Sequence, residues 1–391
     1  MTVNAINGSL LSALSAVGEV SLSTLSAING QALEPTVFPS TSEIIITSNA
    51  EIERNKDDLI TVFSGSLASG VTGAHGRVFD NVTFLAAYDY PGGQEEFVSA
   101  GVRFYIRTDA SGSLLAFIRD PDSAQVTHVR FERAVGSVMR VVQGNGTVLA
   151  TGSTVISLTT WYYLMLYLRI HDTLGEFTGK IFDASGTLLE TLTGSGVDTR
   201  NGTDLAERTV WGNSSADSYV DHLWVDIAGG MQGAGYVETL AASAAGDNSE
   251  WTRGGTNTGN NWDQIDEVPK NETSYVFSTG ADQVDLYNFQ NRSQAGTPIT
   301  VQQIVYAHAH MAGTRQWKPI CKIGGVIYEG ATQSTTSTSD GTDPTVINWQ
   351  NNPATSSAWA DSEIDSAQFG VKSVTTDVRV QAVALQILVS I

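Results

Sequence analysis

The feature that most constrains this chain is a turn signature that recurs three times in its middle: "DASGSLL" at 109–115, "GNGTVL" at 144–149 and "DASGTLL" at 183–189. Each sets Asp or Asn with Gly, then Ser or Thr, then branched apolar residues, which is the chemistry of a tight turn opening a strand. Between the turns run segments of period-two character: "VRFYIRTD" (102–109), "THVRFER" (127–133), "SVMRVVQ" (137–143) and "WYYLMLYLRI" (161–170). Alternation puts Val102, Phe104 and Ile106 on one face and Arg103, Tyr105 and Arg107 on the other, so half-buried antiparallel strands are expected. No helical pattern separates them. A sandwich closed by hairpins follows, and the expected fold class is all-β.

Single cores usually stop growing near ~250 residues, so 391 residues call for more than one domain. Charged residues are 16% against about 25% in an average globular chain, and 38 glycines suit surfaces dense in hairpins. The formal charge is −20, from 41 Asp and Glu against 21 Lys and Arg, which argues against a nucleic-acid partner because phosphate binding relies on basic side chains. Cys321 is the single cysteine, so an intrachain disulfide and a Cys-rich zinc module are excluded and a small core hydrophobe is expected in "WKPICKIGG". The N-terminus has neither a cationic leader nor a continuous apolar region, and no run of about 18 apolar residues occurs, so no signal peptide and no membrane insertion are expected.

Residues 6–33, "INGSLLSALSAVGEVSLSTLSAINGQAL", repeat with a period of eleven. Ile6, Leu11, Leu14, Val17, Leu22, Leu25, Ile28 and Leu33 form an apolar ladder through the copies. Eleven residues suit a helix at about 3.67 residues per turn. Serine content and the glycines at 8, 18 and 30 favour short pieces separated by Asn-Gly turns. Either way the ladder is too short to bury itself, since it lacks a second layer. A docking segment that orders against a partner or another copy is the functional reading, and a loose chain end is the alternative.

Pro35 and Pro39 punctuate a linker, and the expected division is a docking segment at 1–35, a β-sandwich at 36–235 and a second β-sandwich at 236–391. The strand "WYYLMLYLRI", with "EFTGKIFDASGTLLETL" and the later "SYVDHLWVDI" (218–227), resembles the concanavalin A-like (laminin-G-like) jelly roll over about residues 45–230. That resemblance implies a Trp-Tyr strand along the concave sheet and a late Asp-bearing strand closing the sandwich. Such folds serve as carbohydrate binders, glycoside hydrolases or spacers, so the site is argued separately. The glucanase branch carries a Glu-x-Asp-x-x-Glu strand, which this chain lacks, and Glu95-Glu96 and Glu176 have no spaced carboxylate partners. The expectation is therefore that the chain is not an enzyme. Tyr88, Tyr90, Trp161 and Tyr163 are the candidates for glycan contact, with core packing as the competing explanation.

In the last third, "TVQQIVYAHAHM" (300–311), "RQWKPICKIGGVIYEG" (315–330) and "VRVQAVALQILVSI" (378–391) read as long strands, and the final strand is expected inside a sheet. Trp251 and Trp262 are expected to pin the polar stretch 241–275 to this sandwich. His308 and His310 share a strand face at metal-ligand spacing but lack a third ligand, and "WDQIDE" with Asp247 lacks the spacing of a calcium loop. No metal or cofactor is expected. "GDNSEW" (246–251), the "TSYVFS" strand and the final "VQAVALQ" resemble domains at the C-terminal end of tailed-bacteriophage virion proteins, over about 235–391. The resemblance implies a structural component of a phage particle at the virion surface. In that reading residues 1–35 dock onto other virion proteins and the sandwiches project as a trimeric fibre or spike that contacts host glycans. A head decoration protein and a free carbohydrate-binding lectin are the alternatives.

Overall fold

The computed structural model describes the strand segments 27–28, 31–32, 44–47, 66–68, 76–79 and 86–89. It then describes residues 90 and 95–390, apart from 107–111, 120–125, 203–204, 212–217, 228–229, 231–232, 256–258, 268–269, 272, 294, 337 and 339–343. The chain divides into two units, Met1–Thr41 and Ser42–Ile391. In the first, β1 (Ala27–Ile28) and β2 (Gln31–Ala32) pair antiparallel, Ala27 opposite Ala32 and Ile28 opposite Gln31. That pairing spans Asn29-Gly30, the dipeptide whose chemistry favours a two-residue turn. Of the apolar ladder only Ile28 falls in a described strand; Ile6, Leu11, Leu14, Val17, Leu22, Leu25 and Leu33 lie outside the described residues.

The second unit opens with β3 (Ile44–Thr47), β4 (Ser66–Ala68), β5 (Gly76–Phe79), β6 (Ala86–Asp89), β7 (Phe97–Ile106), β8 (Gly112–Arg119), β9 (Val126–Arg133) and β10 (Val138–Gln143). It continues with β11 (Val148–Val155), β12 (Trp161–Arg169), β13 (Gly175–Asp183), β14 (Leu188–Val197), β15 (Arg208–Trp211) and β16 (Ser218–Asp226). These strands form two antiparallel sheets, one ordered β11-β10-β9-β8-β15-β6 and the other β14-β13-β12-β7-β16-β5-β4, with β3 also on β16. Between them lies a core that includes Val102, Phe104, Ile106, Phe131, Leu164, Leu166, Phe177 and Trp211. The turn chemistry is visible in the structure. Asp183 Oδ1 accepts from the amides of Ser185 and Thr187, both at 2.9 Å, and Gly186 sits at φ 85° where a side chain would strain.

One edge of each sheet is closed against the other, β11 against β14. Edge strands leave backbone N–H groups open to any passing chain. Here Glu190 of β14 reaches across to β11, where the amides of Ser153 and Thr154 donate to its two oxygens at 2.6 and 2.9 Å. Partial burial raises the carboxyl pKa, but the bonds from Ser153 and Thr154 outweigh it and hold Glu190 below its ordinary range.

Next come β17 (Gly235–Ser249), β18 (Thr252–Gly255), β19 (Ser274–Phe277), β20 (Val284–Phe289), β21 (Thr297–Ala309) and β22 (Arg315–Ile323). The remainder is β23 (Val326–Glu329), β24 (Gln333–Thr335), β25 (Thr345–Trp349), a short helix α1 (Asp361–Ser366), β26 (Gln368–Ser373) and β27 (Val378–Ser390). The long β17 turns the corner: its first half pairs with β27 and its second half with β20. β27 is central, flanked by β21 on one side and by β17 and β19 on the other. A bulge at Gln381 keeps both Val380 and Val383 in the core, so the strand's inward face changes phase without leaving the sheet. Trp251 and Cys321 are buried in this second core and Trp262 packs against it.

The strands expected to be half-buried include one that is not. β12 buries Tyr162, Leu164, Leu166 and Leu168 in the first core, and its other face, Tyr163 and Met165, is buried too. The reason is the second sandwich. Tyr163, Met165, Phe182 and Trp224 pack with Ala234, Val237 and Leu388 into one apolar seam. A strand covered on both faces reads as a continuous apolar run, which is why "WYYLMLYL" lacks polar positions. Trp224 fits because Gly101 and Gly235 carry no side chain: a Cβ at either would stand 2.3 Å from its indole. His222, held at φ 48° in the bulge of β16, accepts the Val237 N–H on Nδ1 at 3.1 Å and lies 4.1 Å from the Tyr236 ring.

Candidate functional site

The outer face of the sheet containing β12 is covered by the seam over its middle rows, and one end lies beyond it. Register defines that end: Trp161 lies opposite Tyr105, and Tyr163 opposite Arg103, on the adjacent strands β12 and β7. On the other flank of β7, β16 places Tyr219 opposite Tyr105 and Asp221 opposite Arg103. The same alternation that sends Val102, Phe104 and Ile106 into the core turns Arg103 and Tyr105 outward.

These side chains make one cluster. The Arg103 guanidinium lies 4.5 Å from the centroid of the Trp161 ring and 5.6 Å from that of Tyr163, and the Tyr105 ring stands 5.3 Å from Trp161. Cation–π contact of this kind is worth about 0.5–2 kcal/mol and fixes the direction of a side chain that otherwise sweeps many rotamers. Arg103 and Tyr105 are half-buried, whereas Trp161 is 9% exposed and Tyr163 3% exposed. Trp161 Nε1 is buried and finds no hydrogen-bond partner among the described residues, although buried indole N–H groups usually have one. The arrangement is a braced cation beside a half-open phenol ring, with an unmet donor behind them. It suits a ligand that has both hydroxyl or carboxylate acceptors and an apolar ring face.

Of the sequence-nominated residues, the structure brings Trp161 and Tyr163 together here as the brace for Arg103. Tyr90 is elsewhere: it is 5% exposed in the first core, its hydroxyl 2.7 Å from Thr209 Oγ1. Tyr88 falls in β6, of which the backbone is described. For Arg103 and Tyr105 the sequence signal is their outward alternation with Val102, Phe104 and Ile106. Further along this face Arg169 pairs with Glu96 at 2.9 Å, and burial with the carboxylates of Glu176 and Glu96 raises the Tyr167 pKa against the opposing Arg169.

The histidines of the second sandwich make separate contacts. His308 is fully buried, its Nε2 2.5 Å from Gln381 Oε1, while His310 stacks on Phe277 at 4.2 Å. Among the described residues no group of three or more His, Cys, Asp or Glu is placed to hold a metal ion, and no helix is long and apolar enough to cross a membrane.

The chain matches no protein-family profile and no curated protein. It is similar to solved structures at low identity. An alginate lyase from Aplysia kurodai shares 10% identity at a TM-score of 0.34, over 41% of this chain and 86% of that one. Lectin II from Ulex europaeus shares 12% at 0.32, over 48% and 98%. The sialidase of Trypanosoma rangeli shares 15% at 0.31, over 43% of this chain and 27% of the sialidase. These likenesses are too slight to assign an activity, and the β-sandwich description rests on the sheets themselves. One expectation is corrected here. Enzymes, the lyase and the sialidase, stand among these similar structures, and the reading of this chain as a non-enzyme is withdrawn. Its weakness was physical: it rested on one carboxylate motif, and glycosidases with a tyrosine nucleophile work without that motif.

Proposed function

We propose that this chain contacts glycans through the Arg103–Tyr105–Trp161 cluster on the outer face of its first sandwich. The observation that carries the proposal is the bracing of Arg103 between Trp161 and Tyr163 next to the half-buried Tyr105. Saccharides present C–H faces to aromatic rings and hydroxyl or carboxyl oxygens to guanidinium edges, and a held cation loses less entropy on binding than a free one. The seam adds rigidity behind the site, because Tyr163 belongs to both the brace and the apolar joint with the second sandwich. In the context implied by the sequence resemblance, the sandwiches are the glycan-contacting part of a particle anchored through residues 1–35.

The test uses the full chain. A glycan array identifies the saccharide class, and isothermal titration with the best binder gives the number of sites. The double variant Arg103→Gln, Tyr105→Ala is expected to lose one binding equivalent per chain while keeping its β circular-dichroism spectrum. An array without binding, or unchanged stoichiometry in the double variant, overturns the proposal.

A further inference from the structure

A second cluster of the same chemistry lies on the other sandwich, away from the seam. On β19, Val276 points into the second core, so its neighbours Tyr275 and Phe277 take the opposite face; on β27, Val378 and Val380 do the same for Arg379. Register sets Phe277 opposite Arg379 and Gly254 of β18 opposite Tyr275. The Arg379 guanidinium lies 3.9 Å from the Tyr275 centroid. Phe277 and His310 are stacked at 4.2 Å with 15° between their planes, and His310 stands 5.8 Å from Tyr275. All four side chains are half-buried.

Two details make this more than incidental packing. The Tyr275 ring lies across Gly254, where a Cβ would stand 2.1 Å from it, so the ring is laid over the sheet instead of standing off it. Arg379 also brings positive charge to this face in a chain of formal charge −20, and the buried Lys270 adds to it from behind, its Nζ 3.3 Å from Gln381 Oε1. A nearby acid, Asp377, is engaged by Thr376 Oγ1 at 2.9 Å and Arg315 at 3.8 Å.

We infer that Tyr275, Phe277, His310 and Arg379 form a second binding site, whose ligand is a carboxylated saccharide such as a uronic-acid oligomer. Stacking uses the face of a guanidinium, and carboxylate recognition uses its edge, so one arginine serves both. The paired rings of Phe277 and His310 receive the C–H face of the sugar, and Arg379 receives its carboxylate. Repulsion from the rest of the acidic chain is screened beyond about 8 Å at physiological salt, which leaves the local cations to decide. This site shares no residue with the Arg103 cluster and stands or falls separately.

The experiment is isothermal titration of the full chain with tetragalacturonate and with an uncharged tetrasaccharide of glucose. Arg379→Gln and Tyr275→Leu are each expected to remove one tetragalacturonate equivalent or weaken it at least tenfold, while Arg103→Gln, Tyr105→Ala leaves that equivalent in place. The uncharged sugar is expected not to occupy this site. Tetragalacturonate binding that is unaffected by both Arg379→Gln and Tyr275→Leu, or absent from the wild type, overturns the inference. Tyr275→Leu keeps apolar volume on β19, so a fold defect in one variant is recognised by the behaviour of the other.

Discussion

Asp285 gives the sharpest quantitative prediction. Its side chain is wholly buried, and Asn261 Nδ2 and the Tyr287 hydroxyl donate to Oδ2 at 2.8 and 2.9 Å, while Oδ1 has no partner among the described residues. Burial raises its pKa to about 7, with Glu250 adding to the rise and the bonds from Asn261, Tyr287 and Ser249 opposing it. An unfolded aspartate titrates near 3.9. Between about pH 4 and 7 the folded chain therefore holds a proton that the unfolded chain has released. The resulting stability is complete below about pH 4 and is lost as pH rises through about 7, at about 1.4 kcal/mol per pH unit and roughly 4 kcal/mol in all. Asp285→Asn removes that slope but sets an amide N–H where Oδ1 has no partner, at about 1–3 kcal/mol. The variant is thus expected to be less stable than wild type at pH 4.5 and more stable at pH 8, with the melting temperature differing by on the order of 5 °C in each direction. Thermal unfolding by circular dichroism across pH 4.5–8.5 measures this. Asp266, whose pKa burial raises to about 6, tilts both proteins alike, so the difference between them isolates Asp285. A difference that is constant across the range would refute the reasoning.

Three further outcomes follow from the packing. Gly101→Ala pushes a Cβ to 2.3 Å from Trp224 and is expected to cost about 1–3 kcal/mol and open the seam, read as a lower melting temperature and faster proteolysis of the chain. Glu190→Ala uncovers the amides of Ser153 and Thr154 at the β11 edge; lower solubility at high concentration, measured by light scattering, is expected without loss of β spectrum. Cys321 is fully buried and burial pushes its thiol pKa far up, so the native chain is expected to ignore a disulfide reagent that reacts fully after denaturation.

Local chemistry was readable from the sequence and long-range cover was not. The alternation of 102–106 named the inward residues of β7 correctly, and Asp183 and Gly186 form the turn that "DASGT" implies. The outward residues of β12 were another matter, because Tyr163 and Met165 are buried by Val237 and Leu388, which lie far along the chain. Likewise Tyr90 is explained by Thr209, 119 residues away, and the brace around Arg103 exists only once β7 and β12 are in register. Gly101 and Gly235 hinted at close approach, as strand glycines do, but not at which side chain would fill the space.

The most direct test of glycan contact is a crystal structure of the full chain with the saccharide that binds best on the array. The account predicts a sugar ring against Tyr105, with an oxygen within hydrogen-bond distance of Arg103. A bound saccharide that leaves Arg103, Tyr105 and Trp161 untouched would contradict it.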